Sequence, residues 1–231
     1  MEIVKKTALN DPIIIPKQIP NDHQLYRCIK QKKFEANLLL KLPINYCFLD
    51  VGAHYGDTSL TMAIHAANNN RQDIKFFAFE PNAKKCEYIR YISKLNNLDI
   101  NVYNTAVGDI NCNCKNDGQV PDLNGNVTFK KSVDGNIKMI TLDSLKEILN
   151  SIGYIHIDVE GNETLVLKGA SKILTSNKPY IIAEYWTKEE AISRGLSPTP
   201  KQDILDEINK YDFIRQDDLI DNEYNLVFFP K

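Results

Sequence analysis

The sequence predicts an α/β fold built on a doubly wound, mostly parallel sheet with helices on both faces. Three observations lead there. Short apolar runs, of the kind that form strands buried on both sides, alternate with longer segments whose apolar residues recur at helical spacing. The runs close on acids and glycines, as parallel strands do where they meet a ligand crevice. The 231 residues, 43% of them hydrophobic, suffice for one large core, and no stretch reads as a linker dividing it.

Residues 1–45 read as an N-terminal arm and helical segment packed on the core, and residues 46–231 as the main domain. Pro12, Pro16 and Pro20 around Ile13, Ile14 and Ile15 favour an extended arm over a helix. Between 22 and 42, Leu25, Ile29, Phe34, Leu38 and Leu39 give an amphipathic helical pattern ahead of Pro43. The core opens with Cys47-Phe48-Leu49-Asp50-Val51-Gly52-Ala53-His54-Tyr55-Gly56, an apolar run closed by an acid and two glycines. Asp57-Thr58-Ser59 then reads as the cap of a helix running through residue 68. A second strand over 74–79 closes on Glu80-Pro81-Asn82, and Cys86, Ile89, Ile92 and Leu95 mark the helix after it. A third strand covers 100–107 and ends at Gly108-Asp109.

Residues 110–136 change character. Rich in Asn, Gly, Asp and Lys, with Gly118, Gly125 and Gly135 spaced as turns, they are too long and polar for a connector and read as a functional loop or hairpin excursion beside the site. Thr141-Leu142-Asp143 reads as the cap of a short helix. The pattern then resumes with a strand over 154–159, Glu160-Gly161, a helix to residue 174, and a strand over 180–183 ending at Glu184. Pro198 and Pro200 introduce a helix over 202–210, and 213–215 with 226–229 read as a closing pair of edge strands.

Composition narrows the function classes. A formal net charge of -2 with interspersed signs offers no basic face for nucleic acid or an anionic membrane. No apolar run approaches the roughly 20 residues of a membrane span, and Met1-Glu2-Ile3-Val4-Lys5-Lys6 lacks the apolar centre of a signal peptide, so a cytoplasmic setting is expected. Five scattered cysteines argue against a disulfide framework. Cys112 and Cys114 have no further ligand close in sequence, so no metal is expected.

The strand ends carry Asp50, Glu80, Asp109, Asp158 and Glu184. Five acids on one rim repel one another unless a cationic or hydroxyl-rich ligand sits among them. Asp50 beside a helix N-terminus, which already favours anions, points to a ligand with a cationic part. Gly52 permits the sharp turn and close ligand approach there, and Gly56 permits close packing at the helix entry. Glu80 lies one strand-helix-strand unit after Asp50, where a carboxylate accepts both hydroxyls of a ribose. The Gly-x-Gly-x-x-Gly spacing of a dinucleotide site is absent, whereas S-adenosylmethionine (SAM), with its ammonium and sulfonium, suits the acids. Asp109 also reads as a turn residue, and Asp57 and Asp143 as helix caps.

The four segments together, Phe48 to Ser59, Phe77-Ala78-Phe79-Glu80-Pro81-Asn82, Thr105-Ala106-Val107-Gly108-Asp109 and the run from Ile157-Asp158-Val159-Glu160-Gly161 to Ala170, resemble the successive motifs of the FkbM family of SAM-dependent methyltransferases. The resemblance covers residues 46–186. It implies a class I methyltransferase (Rossmann-like) fold and O-methylation of a hydroxyl on a sugar, glycan or small natural product. By position it also implies that Asp50, Gly52, Ala53, His54 and Gly56 hold the methionine end, Glu80 with Pro81 and Asn82 the ribose, and Asp109 with Val107 the adenine. Two positions depart: His54 stands where the family often has Asn, and His156 where it often has Lys.

Methyl transfer to a hydroxyl asks the protein to place the nucleophile, exclude water and accept a proton. Asp158 and Glu160 end a strand beside the crevice with the same parity, and are the candidate catalytic bases. His156 shares that parity but lies deeper and reads as structural, while Glu163 complements the following helix dipole. Two other readings are a nucleotide-dependent oxidoreductase, which lacks its phosphate-binding glycines, and a non-catalytic SAM-fold module.

Overall fold

The run Cys47–Val51 (β3) is buried at all five positions because it sits mid-sheet, with parallel strands on both sides. The computed structural model describes residues 2–17, 29–116, 129–146, 151–193, 201–216 and 225–231. Leu25, Gly118, Gly125, Pro198 and Pro200, used in the sequence reading, lie outside them. Lys75–Phe79 (β4) and Ile100–Tyr103 (β5) extend the sheet on one side of β3. On the other side come Ile152–Ile157 (β10), Tyr180–Glu184 (β11), Asn225–Pro230 (β13) and Phe213–Arg215 (β12). The order is β12-β13-β11-β10-β3-β4-β5, and only β13 runs antiparallel to its neighbours. β12 is the edge strand expected from sequence, whereas β13 lies one place inside it.

Alternation along β3 builds the two layers. Cys47, Leu49 and Val51 face a core completed by Val166 and Leu167 of Glu163–Lys168 (α4), Ile173 and Leu174 of Ser171–Ser176 (α5), and Ile204 and Ile208 of Lys201–Ile208 (α7). Phe48 faces the opposite core with Ala36, Leu38 and Leu39 of Ile29–Leu39 (α1) and Met62, Ala63 and Ala66 of Asp57–Asn68 (α2). Ala83–Leu95 (α3) packs on this second face through Ile89. Helices therefore cover both sides, as the apolar runs require.

Several local expectations change. The N-terminal arm is a hairpin, Glu2–Lys6 (β1) paired antiparallel with Pro12–Pro16 (β2), and Ile13 and Ile15 of β2 pack against Leu60, Ile64 and Ile92. The third strand splits: after β5, Ala106–Val107 (β6) joins a separate four-stranded sheet with Cys112–Asn116 (β7), Phe129–Lys131 (β8) and Ile137–Ile140 (β9). The described residues of the excursion after Asp109 include β7 and β8, which pair antiparallel. The helix after β10 breaks into α4 and α5 because Asp143 accepts from Ser171 Oγ and the amides of Lys172 and Ile173, capping the second piece. Asp143 is a helix cap, as expected, but for α5 rather than for its own turn, which is a short 3-10 turn, Leu142–Ser144. A further helix, Lys188–Ser193 (α6), carried no periodic apolar signal.

Candidate active site

The first loop is held from three sides. Gly52 turns with φ +87°, and the amides of Gly52 and Ala53 both donate to Phe79 O at 3.0 Å. A Cβ on Gly52 would lie 1.7 Å from the carbonyl oxygen of Asp158. Glycine is required there by the end of the adjacent strand; the sequence reading had assigned that requirement to an approaching ligand. Ala53 is buried, and His54, with φ +53°, donates its amide to Glu80 Oε2 at 2.9 Å. Its ring Nδ1 lies 3.4 Å from Asp57 Oδ2. Gly56 packs on Leu60 and Ile89 as expected. It is also the N-cap of α2 and offers no side chain, so Asp57 is not the cap the sequence suggested.

Glu80 is 6% exposed. Oε2 accepts from His54 and Oε1 from the Asn82 amide at 2.8 Å, which leaves each oxygen one lone pair for another donor. Burial holds its carboxyl above the usual range, against the pull of Lys85 and the two amides. Asn82 is the N-cap of α3, its Oδ1 accepting from Lys84 and Lys85, and Asn104 Nδ2 donates to the carbonyls of Glu80 and Pro81. Val107 is buried and paired with Ile140, and Asp109 follows two residues later, half-buried.

Asp50 lies deeper than expected for direct contact with a ligand. It is 1% exposed, with Oδ2 accepting from Ser59 N at 2.9 Å and Oδ1 lying 3.1 Å from His156 Nδ1. The Ser59 bond makes Asp50 the carboxylate that satisfies the first turn of α2. Lys32 and Glu35 of α1 complete a buried group around it. Lys32 Nζ donates to Thr58 Oγ1 at 2.5 Å and lies 3.5 Å from Glu35 Oε1. The sequence reading missed both residues. Their spacing with Ala36 and Leu39 was the available signal, since it puts two charges on the apolar side of α1. Burial opposes the charged form of His156, but Glu35 and Asp50 outweigh it and raise the imidazole pKa. Burial likewise opposes the Asp50 carboxylate, yet the His156 bond and charge, with Lys32 and Ser59, hold its pKa below the usual value.

Past β10 the acids gather. Asp158 N donates to Val51 O at 2.9 Å, tying the strand end to β3. Glu160 has φ +54° and Gly161 φ +101°. Glu163, 1% exposed, accepts from the amides of Val159 and Gly161 through Oε1, so it braces this turn locally, a task beyond the helix-dipole role expected of it. Carboxylate oxygens of Asp158, Glu160 and Glu184 lie within 4.8 Å of one another. Burial, then Asp158, Glu160 and Glu163, push the Glu184 carboxyl well above the usual range. Such a trio can share protons with a hydroxyl placed against it. It brings both sequence-predicted bases together and adds Glu184 to them.

Two outcomes follow. Gly52→Ala should cost at least about 2 kcal/mol in urea unfolding, from the positive φ and the Asp158 carbonyl together. The stability difference between wild type and His156→Gln should be largest between about pH 4 and 6.5. His156, with its raised pKa, contributes fully below its unfolded value and loses that contribution as pH rises through the folded one. Asp50, with its lowered pKa, contributes above its unfolded value and loses that as pH falls through the folded one. Urea midpoints of both proteins from pH 3 to 9 check this.

The Methyltransferase FkbM domain pattern matches residues 50–216. No curated protein matches the chain by sequence. Among solved structures, an FkbM methyltransferase from Methylobacillus flagellatus KT superposes with a TM-score of 0.52 at 15% identity, over 92% of this chain and 56% of that one, so the chain spans little more than half of that protein's length. The 16S rRNA N2 G1207 methyltransferase RsmC of T. thermophilus gives 0.52 at 10% identity, over 100% and 50%. A geranyl diphosphate methyltransferase gives 0.50 at 9%, over 89% and 77%. At these identities the likeness is one of fold, and the fold is that of class I SAM methyltransferases. The domain pattern, which spans most of the chain, decides the rest: this protein belongs to the FkbM methyltransferase family.

Proposed function

We propose that the chain transfers the methyl group of SAM to a hydroxyl oxygen of a sugar, glycan or small natural product. The observation that carries this is the convergence, at the carboxyl ends of β3, β4 and β10, of a tightly braced glycine loop, a Glu80 with acceptor capacity to spare, and a proton-sharing carboxylate group. SAM supplies an electrophilic methyl on a sulfonium leaving group. The chain's task is placement. Gly52, Ala53, His54 and Gly56 form the wall for the methionine end, with the Asp50 charge beneath. Glu80 accepts from the ribose hydroxyls through its remaining lone pairs, Pro81 and Asn82 border it, and Val107 and Asp109 flank the adenine.

The acceptor hydroxyl attacks the methyl carbon as the carbon-sulfur bond breaks, and its proton passes to Asp158 or Glu160. Glu184, its carboxyl pushed well above the usual range, lies against this pair and favours the proton's staying within the group. A small or glycan acceptor is favoured over nucleic acid by the net charge of -2. Among the described residues no helix is long and apolar enough to cross a membrane. The described cysteines Cys47, Cys86, Cys112 and Cys114 are free thiols.

Calorimetry and single-turnover rates separate the roles. Glu80→Ala should weaken SAM binding by about 1.5 to 3 kcal/mol, the usual worth of hydrogen bonds to a charged group. Asp158→Asn or Glu160→Gln should slow transfer by roughly 10² to 10⁴ at saturating SAM while leaving its affinity close to wild type. Rates that persist in both variants would remove the carboxylates from the chemistry. Wild type that fails to bind SAM would remove the function.

A further inference from the structure

Beneath the first loop, four ionisable side chains from three elements meet out of water: Lys32 and Glu35 from α1, Asp50 from β3 and His156 from β10, with exposures of 7%, 0%, 1% and 5%. Two of them grip one turn of α2. Lys32 Nζ bonds Thr58 Oγ1 at 2.5 Å, and Asp50 Oδ2 takes Ser59 N at 2.9 Å. That turn begins where the loop Gly52 to Gly56 ends, so its position sets the loop's. Two acids and two bases meet here: His156 Nδ1 lies 3.1 Å from Asp50 Oδ1, and the charges of Glu35 and Asp50 both raise the imidazole pKa. The phenol of Tyr154, the other ionisable neighbour, is held neutral by burial and by Glu35.

We propose that Lys32 and His156 are positioning residues of the cofactor site: they neutralise Glu35 and Asp50 so that Asp50 and α1 hold the first turn of α2, and with it the glycine loop, in the geometry that receives the methionine end of SAM. This rests on the SAM-binding reading above and assigns that reading a component outside the family motifs, on the N-terminal helix. Neither residue touches the cofactor. Each acts through α2. The demand at position 156 is therefore a positive charge beside Asp50, and at position 32 a positive charge that also reaches the Thr58 hydroxyl.

The test compares SAM affinity by calorimetry at pH 6 across charge-removing and charge-keeping variants, each first confirmed as folded by circular dichroism and thermal melting. His156→Leu and Lys32→Met should each weaken SAM binding roughly tenfold, a size usual for coupling within one buried network. His156→Lys and Lys32→Arg should restore affinity to within about threefold, well inside that coupling range. A purely structural role would lower melting temperature in all variants and leave affinity of the folded fraction unchanged. If His156→Leu does not fold, the Lys32 pair carries the same reading from the other element. Unchanged affinity in the folded charge-removing variants overturns the inference, as does a His156→Lys as weak as His156→Leu. Wild type that binds no SAM overturns the function reading first and this inference with it.

Discussion

The site depends on one close passage of backbone. At Gly52 the chain leaves β3 so near the carbonyl of Asp158 that no side chain fits between them, and the Asp158 amide reaches back to Val51 O. The ends of β3 and β10 are thus fastened to each other just where the strand order reverses, the point at which an open α/β sheet forms its crevice. The loop proposed to meet the cofactor and the turn that carries the candidate bases cannot move independently. Near-attack geometry tolerates little looseness, and a shared backbone contact supplies that constraint without any catalytic side chain taking part.

Around that contact the acids divide by what already holds them. Glu163 spends one oxygen on two amides of the turn at 159–161, and Asp50 spends both of its oxygens on Ser59 and His156. Glu80 is intermediate, with one amide on each oxygen and capacity left on both. Asp158, Glu160 and Glu184 crowd together instead, and burial with this crowding pushes the Glu184 carboxyl well above the usual range. Carboxylates saturated by backbone donors shape the site, while those facing one another remain able to exchange protons.

The central sheet was legible because parallel strands buried on both faces leave continuous apolar runs, such as Cys47 to Leu49 and Phe76 to Phe79, that end in the chemically distinctive residues Asp50 and Glu80. The small sheet was not. β6 has two residues and β9 four with Lys138 exposed among them, too short for any period to show, and their pairing is long-range. The hairpin β1–β2 was read as extended, which its prolines dictate, but nothing local discloses that one strand pairs with the other. At the site, residue types and strand-end positions were legible from Asp50, Glu80, Asp158 and Glu160. Their partners were not: Asp143 capping a helix that starts 28 residues later is a tertiary choice, and Glu163 bracing a turn depends on the positive-φ backbone at 160 and 161, which no apolar period reports. Lys32 and Glu35 were passed over for a different reason: charge on a helix is read as solvated by default, and here the apolar face of α1 carries it inward.

Charge balance also accounts for the histidine where related sequences often carry lysine. Burial disfavours a charged carboxylate that lacks a partner, and a protonated Asp50 would lose its negative charge beneath the loop. Burial works against the cationic form of His156, yet Glu35 and Asp50 reverse that outcome, so the neighbours and not the ring decide its charge. Lysine at the same place would meet the same two carboxylates and be held charged by them. The substitution therefore changes the shape of the cation and leaves its sign alone, which is the property that Asp50 and, through Ser59, the first turn of α2 require.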